Sequence, residues 1–561
     1  MTLDQPYTLL SILLLSVIFL LPLAFKQSVA HRIEQKIVGF VERPILSSVT
    51  LFLAVIIIRL LLLPRFAIPV PFIHDEFSYL LMGDTFAHER LANPPHPLWL
   101  SFETFHVNWN PTYSSIYPPA QGFVLAVGQL LGNPWIGVLL STASMCVAIF
   151  WMLRAWFPTR WAFLGAVMVA AKFGFTHYWM NSYWGGAAAA TGGALVLGAL
   201  PRILRRASVR DALLLGLGIA ILANSRPFEG LLFCLPAAYV LLHWLFAGPK
   251  ESEDRAGRAK QVLLPVAAML ILTGAFMAFY NWKLTGNALL FPHTLSVRTY
   301  HTESFFLWQK PKPPILYNNQ EFDRFFNQVL RNAYRPSWSS VWRVLTLKVE
   351  LLWRAYLWPG AMLLLPIVAI VFFKKKLRLL VAMFAIVIAG YSILVWPYPH
   401  YIAPITCIIF AFLVQALRRL QVMVRRRGLG AALARAVVML LFIETINNVE
   451  RDVCSPYIPT CEGDVDREVA RNILQTIPGK HLVVVRYGAH HNIDDEWVYN
   501  GAEIDSAKIL WARDISPAQN QKLFTYFSDR QIWIVEPDEA DPQARRPKQV
   551  PRAAERPPTL P

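Results

Sequence analysis

Residues Pro71 to Leu80 read PFIHDEFSYL and stand shortly after the apolar run LFLAVIIIRLLLLP. Asp75 and Glu76 are adjacent, with His74 before them and Tyr79 one helical turn on. Acidic residues at a helix mouth either solvate the interface or are put to use, because charge beside a bilayer is costly unless it is used or paired. Few other groups have comparable chemical potential. Arg226 in NSRPFEG can hold an anion, pair with Glu229 or snorkel to the interface. The stretch YNWKLTGNALLFPHTLSVRTYH carries Lys283, His293, Arg298 and His301, and WPYPHYIAP carries His400 and Tyr401. In GAHHNIDDEWVYNG, residues His490, His491, Asp494, Asp495 and Glu496 match no strong ligand spacing and read as a polar loop between strands.

The elements that must position these groups are set by composition. The chain has 561 residues, of which 55% are hydrophobic and 16% charged, and its mean hydropathy is +0.39. Soluble domains carry about 25% charged residues. Apolar runs near the roughly 20 residues that cross a bilayer recur along the chain. The fold class expected is an α-helical polytopic membrane protein with twelve spans, near 8–24, 45–63, 134–153, 161–178, 186–200, 211–225, 228–247, 261–280, 355–373, 379–396, 402–417 and 430–447. The first is read as a retained helix, since MTLDQPY lacks the positive charge of a signal peptide.

The net charge of +17 does not indicate nucleic acid. Lys and Arg concentrate in alternate connections, such as PRILRRASVR, KKKLR and RRLQVMVRRR, which is the positive-inside pattern. Residues 65–133 and 281–354 are then long outward loops within a membrane module of residues 1–447. YPPAQGFVLAVGQLLGNP is too short and glycine-rich for a span and reads as an interfacial helix. Beyond the last span, HLVVVRYG, EWVYNG, AKILWARD and QIWIVEP read as strands, and SPAQNQKLFTYFSDR as a helix with a Ser cap and Pro at its first position. Residues 448–537 are expected to form a small extracytoplasmic α/β domain and 538–561 a disordered tail. Cys454 and Cys461 are close enough in sequence for a disulfide in an oxidising compartment.

DEFSYLLMGDTFAHERLANPP, YPPAQGFVLAVGQLLG and YPHYIAP, in that order, resemble the motifs of the GT-C glycosyltransferase superfamily. The chain is most similar to its protein O-mannosyltransferase-like family 39 and to the lipid A aminoarabinose transferases. The resemblance spans most of residues 45–420. It implies an enzyme that moves a hexosyl or pentosyl group from a polyprenyl phosphate to an acceptor hydroxyl on a protein, glycolipid or polysaccharide. The setting implied is the outer face of a bacterial inner membrane, among its lipids. By this resemblance Asp75 is the catalytic carboxylate and Glu76 orients a neighbour or a helix end. Arg226, His400, Tyr401, Lys283 and Arg298 serve the lipid-phosphate donor, and His74, Tyr79 and Tyr117 belong to the substrate loop. Many relatives have a second acidic residue in the next outward loop, but THYWMNSYWGGAA has none. No cofactor is therefore expected, with a divalent metal the less favoured option. A secondary transporter or a membrane scaffold for the C-terminal domain are the rival classes. The first lacks related halves, and the second leaves the three motifs without a purpose.

Overall fold

The computed structural model describes residues 39–246, 255–333, 337–423, 429–447, 454–455, 458–459 and 465–550. Helix α1 (Pro44–Leu61) leads to α2 (His74–Ala87), which opens the first long loop. That loop contains a two-stranded ribbon, β1 (Val107–Asn108) and β2 (Ser114–Ser115), and ends in α3 (Ala120–Leu130). There follow α4 (Pro134–Trp156), α5 (Thr159–Phe173), α6 (Ala187–Arg205), α7 (Val209–Ala223), α8 (Pro227–Phe246) and α9 (Arg255–Thr285). The second long loop carries α10 (Pro292–Thr299) and α11 (Trp338–Tyr356), and α12 (Leu365–Phe372), α13 (Arg378–Ile393), α14 (Thr406–Met423) and α15 (Leu429–Asn447) complete the bundle. Several helices begin with Pro, whose missing N–H would have had no partner there.

The chain is an integral membrane protein. Among the described residues eight helices are long and apolar enough to cross a bilayer, or nine if the pair Trp338–Tyr356 and Pro359–Phe372 counts as one span. The expected twelve are not reached. The span at 8–24 lies outside the described residues. Helices α5 and α7 have 15 residues each, about 22 Å of helix and too short alone. The stretch expected at 355–373 is broken: Pro359 follows the end of α11, and the chain turns through 102°. In the same way, the second long loop proves to be helical over Trp338–Tyr356. Helix α3, with 11 residues, is not a span. It crosses α4 at Gly128 and Gly137, where a Cβ on Gly137 would stand 1.9 Å from the Val124 carbonyl oxygen. Only glycine permits that approach.

Helices α6 and α14 form the buried centre, whereas α9 leaves Ile271 and Leu272 exposed at the periphery. The arginine-bearing ends meet at one end of the bundle. Arg202 donates to the Trp151 carbonyl at 2.9 Å, Arg418 lies over the Phe157 ring and Arg258 over Trp244. Arg226 lies at the far end of α7 from Arg210.

The C-terminal region contains α16 (Val465–Thr476), β3 (His481–Val485), β4 (Ile509–Arg513), α17 (Pro517–Tyr526), β5 (Gln531–Val535) and β6 (Lys548–Gln549). The sheet order is β4–β3–β5–β6, with the first three strands parallel and β6 antiparallel to β5. Ser516 caps α17 with Pro517 at its first position, as expected. EWVYNG is not a strand. Its backbone is held by side chains instead, with Arg467 donating to the Trp497 and Tyr499 carbonyls and Asn500 bonded to both the N–H and the carbonyl of Trp511. The tail expected to be disordered from residue 538 instead supplies β6, which covers the β5 edge, an unpaired row of backbone groups without it. Cys461 and the Cys454 side chain lie outside the described residues, and so does the expected disulfide.

The charge asymmetry predicts opposite sides for Arg206 and Asn318. With single cysteines at these positions, an impermeant maleimide applied to intact cells should label Asn318→Cys and leave Arg206→Cys unlabelled. Labelling of Arg206→Cys from outside would invert the orientation.

Candidate active site

The mouth of α2 is built around Glu76, which is 1% exposed. Its Oε2 accepts the N–H groups of Phe72 at 3.0 Å and Ile73 at 3.2 Å, and its Oε1 accepts that of Tyr183 at 2.9 Å. Burial pushes its carboxyl up to about 7, against the pull of those three N–H groups. Glu76 thus clamps the helix start to the loop after α5, the orienting role expected of it, and makes no approach to the cavity described below. Asp75, one residue earlier, is left with its side chain 23% exposed.

Two further groups reach Asp75 through a chain of small residues. The Ser78 hydroxyl donates to the His106 carbonyl at 2.6 Å and lies 2.8 Å from the Ser115 hydroxyl, which accepts the Tyr117 N–H at 3.2 Å. The β1–β2 register, Val107 opposite Ser115, keeps His106 and Tyr117 on the same side of α2. The Tyr117 hydroxyl donates to Asp75 Oδ1, and His106 Nε2 lies 3.9 Å from Asp75 Oδ2. Tyr79 stacks on Tyr117 at 4.4 Å. Burial raises the Asp75 carboxyl above the ordinary carboxylate range, while the Tyr117 hydrogen bond, then His74 and Arg226, draw it back. Burial, and then the neighbouring His74, His301 and His293, hold His106 well below the ordinary histidine range. A neutral imidazole beside a carboxylate suits proton traffic.

Beside this cluster lies a cavity of about 300 Å³, lined among others by Tyr79, Tyr117, Arg226, Asn281, His293 and Tyr401. The Arg226 guanidinium lies over the Tyr401 ring at 4.5 Å. The segment bearing Tyr401 is braced by the Tyr356 hydroxyl, which donates to the Pro399 carbonyl at 3.1 Å, and Lys348 holds the end of α13 before it by donating to the Tyr391 carbonyl at 2.8 Å and to that of Leu394. The cavity therefore offers a fixed cation a short way from a carboxylate of raised basicity, which is an arrangement for separating an anionic leaving group from a nucleophile that must lose a proton.

The structure brings together Asp75, Tyr79, Tyr117, Arg226 and Tyr401, and excludes other expected site residues. His74 is 3% exposed, stacked on Phe105 at 4.3 Å, with Nε2 2.7 Å from the Ile493 carbonyl oxygen, so it joins α2 to the C-terminal region and does not line the cavity. His400 is 1% exposed and packs edge-on to Trp184 at 4.7 Å, outside the cavity lining. Lys283 is exposed over the Phe279 and Trp282 rings, and Arg298 is exposed on α10, and neither lines the cavity. Alternation on a short loop cannot tell which of two neighbours turns inward, and the second loop folds back only in three dimensions. His106 was not legible in the sequence, because no motif surrounds it and its partner lies 31 positions earlier. Among the described residues no group of three His, Cys, Asp or Glu side chains is arranged to hold a metal ion. In the C-terminal cluster, Glu496 instead pairs with Arg513 at 2.5 Å and His491 with Asp538 at 2.9 Å.

No family model matches the chain, and no curated protein does. Among solved structures, the chain is similar to the apo oligosaccharyltransferase of Archaeoglobus fulgidus. That pair is 12% identical with a TM-score of 0.45, covering 79% of this chain and 62% of that one, so this chain spans less than two thirds of its length. It is also similar to apo ArnT of Cupriavidus metallidurans, at 13% identity and a TM-score of 0.48, covering 87% and 92% of the two chains. The same ArnT bound to undecaprenyl phosphate gives 15% identity and a TM-score of 0.47 over the same shares. The chemistry of the site is read from this chain's own residues.

Two expectations follow from the geometry. Glu76→Ala leaves three backbone N–H groups without their acceptor and should destabilise the protein by about 1–3 kcal/mol, the cost of stranding buried donors. Thermal unfolding in detergent measures it, and an unchanged midpoint would contradict the clamp. A carboxylate can act as a base only when ionised, so if Asp75 is the base, activity should fall as pH drops through its raised pKa, above the reference of about 3.9. Tyr117→Phe removes the hydrogen bond that favours the ionised form, so the acid limb of kcat/KM should move to higher pH. A limb that stays in place would remove Asp75 from that role.

Proposed function

We propose that the protein is a membrane glycosyltransferase that takes a sugar from a polyprenyl-phosphate donor and passes it to an acceptor hydroxyl on the extracytoplasmic face. The observation that carries this reading is the placement of Arg226 in a cavity walled by Tyr117, whose hydroxyl holds Asp75. In the reaction the acceptor oxygen bonds to the anomeric carbon as the bond from that carbon to the phosphate oxygen breaks. The electron pair leaves with the polyprenyl phosphate, and the hydroxyl proton goes to Asp75. Arg226 opposes the charge on the departing phosphate, and stacking on Tyr401 fixes its plane. The phosphate is already a competent leaving group, so no general acid is needed at that oxygen.

Donor panels in proteoliposomes, with labelled hexosyl and pentosyl polyprenyl phosphates, test the reading directly. Asp75→Asn should lower turnover by roughly 10²–10⁴-fold, the range for loss of a general base, with lipid-phosphate binding retained. Arg226→Ala should weaken lipid-phosphate binding as well as turnover, because phosphate is present in both ground and transition states. Arg226→Lys should recover only part of either, since it keeps the charge and loses the planar fork. A fully active Asp75→Asn protein would refute the base assignment.

A further inference from the structure

A second cavity, of about 360 Å³, lies between the first loop and the second. Its wall includes Trp99, Glu103, Trp109, Asn110, Tyr317 and Asn318, and no Lys, Arg or His lines it. Helix α10 separates it from the first cavity: Pro292, His293 and Thr294 line the first, and Leu295 and Thr299 the second. These wall residues fall within one eight-residue helix, about 12 Å long. The Asn108 side chain fastens that helix to β1 by donating to the Pro292 carbonyl at 3.0 Å, and Asn108 itself lines the second cavity. The strand carrying Asn108 starts one residue after His106, so both cavities are registered to Asp75 by one short ribbon.

The lining has a definite chemistry. Trp99, Tyr300 and Tyr317 supply flat, half-buried apolar faces, whereas Trp109 is stacked on Tyr113 at 4.2 Å. Asn110 is an exposed amide, able to donate and accept as a sugar hydroxyl also does, and the exposed Asn318 is hydrogen-bonded to Glu103. The single charged group, Glu103, is 2% exposed, and its oxygens already accept from Tyr300 at 3.2 Å and Asn319 at 3.1 Å. Trp109 is 1% exposed, and its buried Nε1–H has no hydrogen-bond partner among the described residues. Arg513 stands close to Glu103 but outside the wall, so the lining itself presents no cation to a phosphate or any other anion.

Resting on the glycosyltransferase reading, we infer that this second cavity is the acceptor subsite and that it takes a neutral saccharide. The half-buried aromatic faces receive the C–H faces of the sugar ring, and the Asn110 amide meets its hydroxyls. The acceptor substrate is thus a glycan end, held across α10 from the lipid phosphate.

The test uses the full chain in lipid nanodiscs, with tryptophan fluorescence titrated by maltotriose, mannobiose and arabinobiose at millimolar concentrations. The binding of plain polyprenyl phosphate is measured separately. At least one saccharide should bind the wild type, and inorganic phosphate should not compete. Trp99→Ala should raise the saccharide Kd about tenfold or more, near 1.4 kcal/mol, with the polyprenyl-phosphate Kd unchanged. Thr299→Trp, at an exposed rim position, fills the cavity without disturbing a core and should do the same. Absence of saccharide binding to the wild type, competition by inorganic phosphate, or wild-type affinity in both variants would overturn the inference, even with transfer dependent on Asp75 intact. Saccharide binding lost in both variants, with no sugar transfer from any lipid donor, would uphold the cavity and refute the proposed function instead.

Discussion

A buried carboxylate at the mouth of α2 sets the frame for the site. Glu76 gathers the N–H groups of Phe72, Ile73 and Tyr183, and these come from two segments more than a hundred positions apart. Buried backbone donors need partners, and few side chains can satisfy three of them at once. Once Glu76 is committed, Asp75 can only turn the other way, towards Tyr117 and His106. Two adjacent acidic residues thus receive different work from their surroundings, one holding the backbone and the other exposed to the reaction.

The C-terminal region is not an appendage to the bundle. Phe77 of α2 stacks on Tyr499 at 4.2 Å, and Phe77, Leu81 and Tyr113 share one apolar core with Leu482 and Leu510 of the sheet. Asp84 accepts the Ala502 N–H at 2.6 Å, and Tyr113 donates to the Asn500 carbonyl at 2.9 Å. Arg513 reaches in the other direction, to Glu321 at 3.0 Å and the Glu103 carbonyl at 3.3 Å. The small sheet therefore roofs both long loops, and the helix carrying Asp75 is held from above by apolar packing and from below by Glu76. A helix of 14 residues has little stability of its own, so this double support is what makes its N-terminus a fixed point.

The two cavities divide the chemistry by charge. The one beside Asp75 has Arg226 and faces the apolar helices α8 and α9, whereas the one across α10 has aromatic and amide groups and a single sequestered carboxylate. An anionic lipid headgroup and a neutral polyol differ in just these requirements.

Much of this protein was legible in one dimension. Long apolar runs mark the bundle because a bilayer accepts little else, and every expected span within the described residues is helical over at least part of its length. The DE motif stands where an apolar run stops, and its resemblance, with that of YPP, to the family motifs is what singled out Asp75 and Tyr117. The Ser516–Pro517 helix start, three of the four expected C-terminal strands and Arg226 at the bundle end opposite the Arg-rich connections were equally visible, since each follows from local backbone chemistry or loop charge. Tertiary structure alone decided which neighbour faces the cavity, because a residue's direction at a helix start depends on what the next segment offers. Hence His74 is spent on Ile493, His400 on Trp184, and His106 is brought to Asp75 by a ribbon register that no local pattern encodes. The broken helix at Pro359 and the edge strand at Lys548–Gln549 were missed for a related reason. Hydropathy reports how much apolar surface a stretch has, and not where the backbone bends or which open strand edge needs a cover.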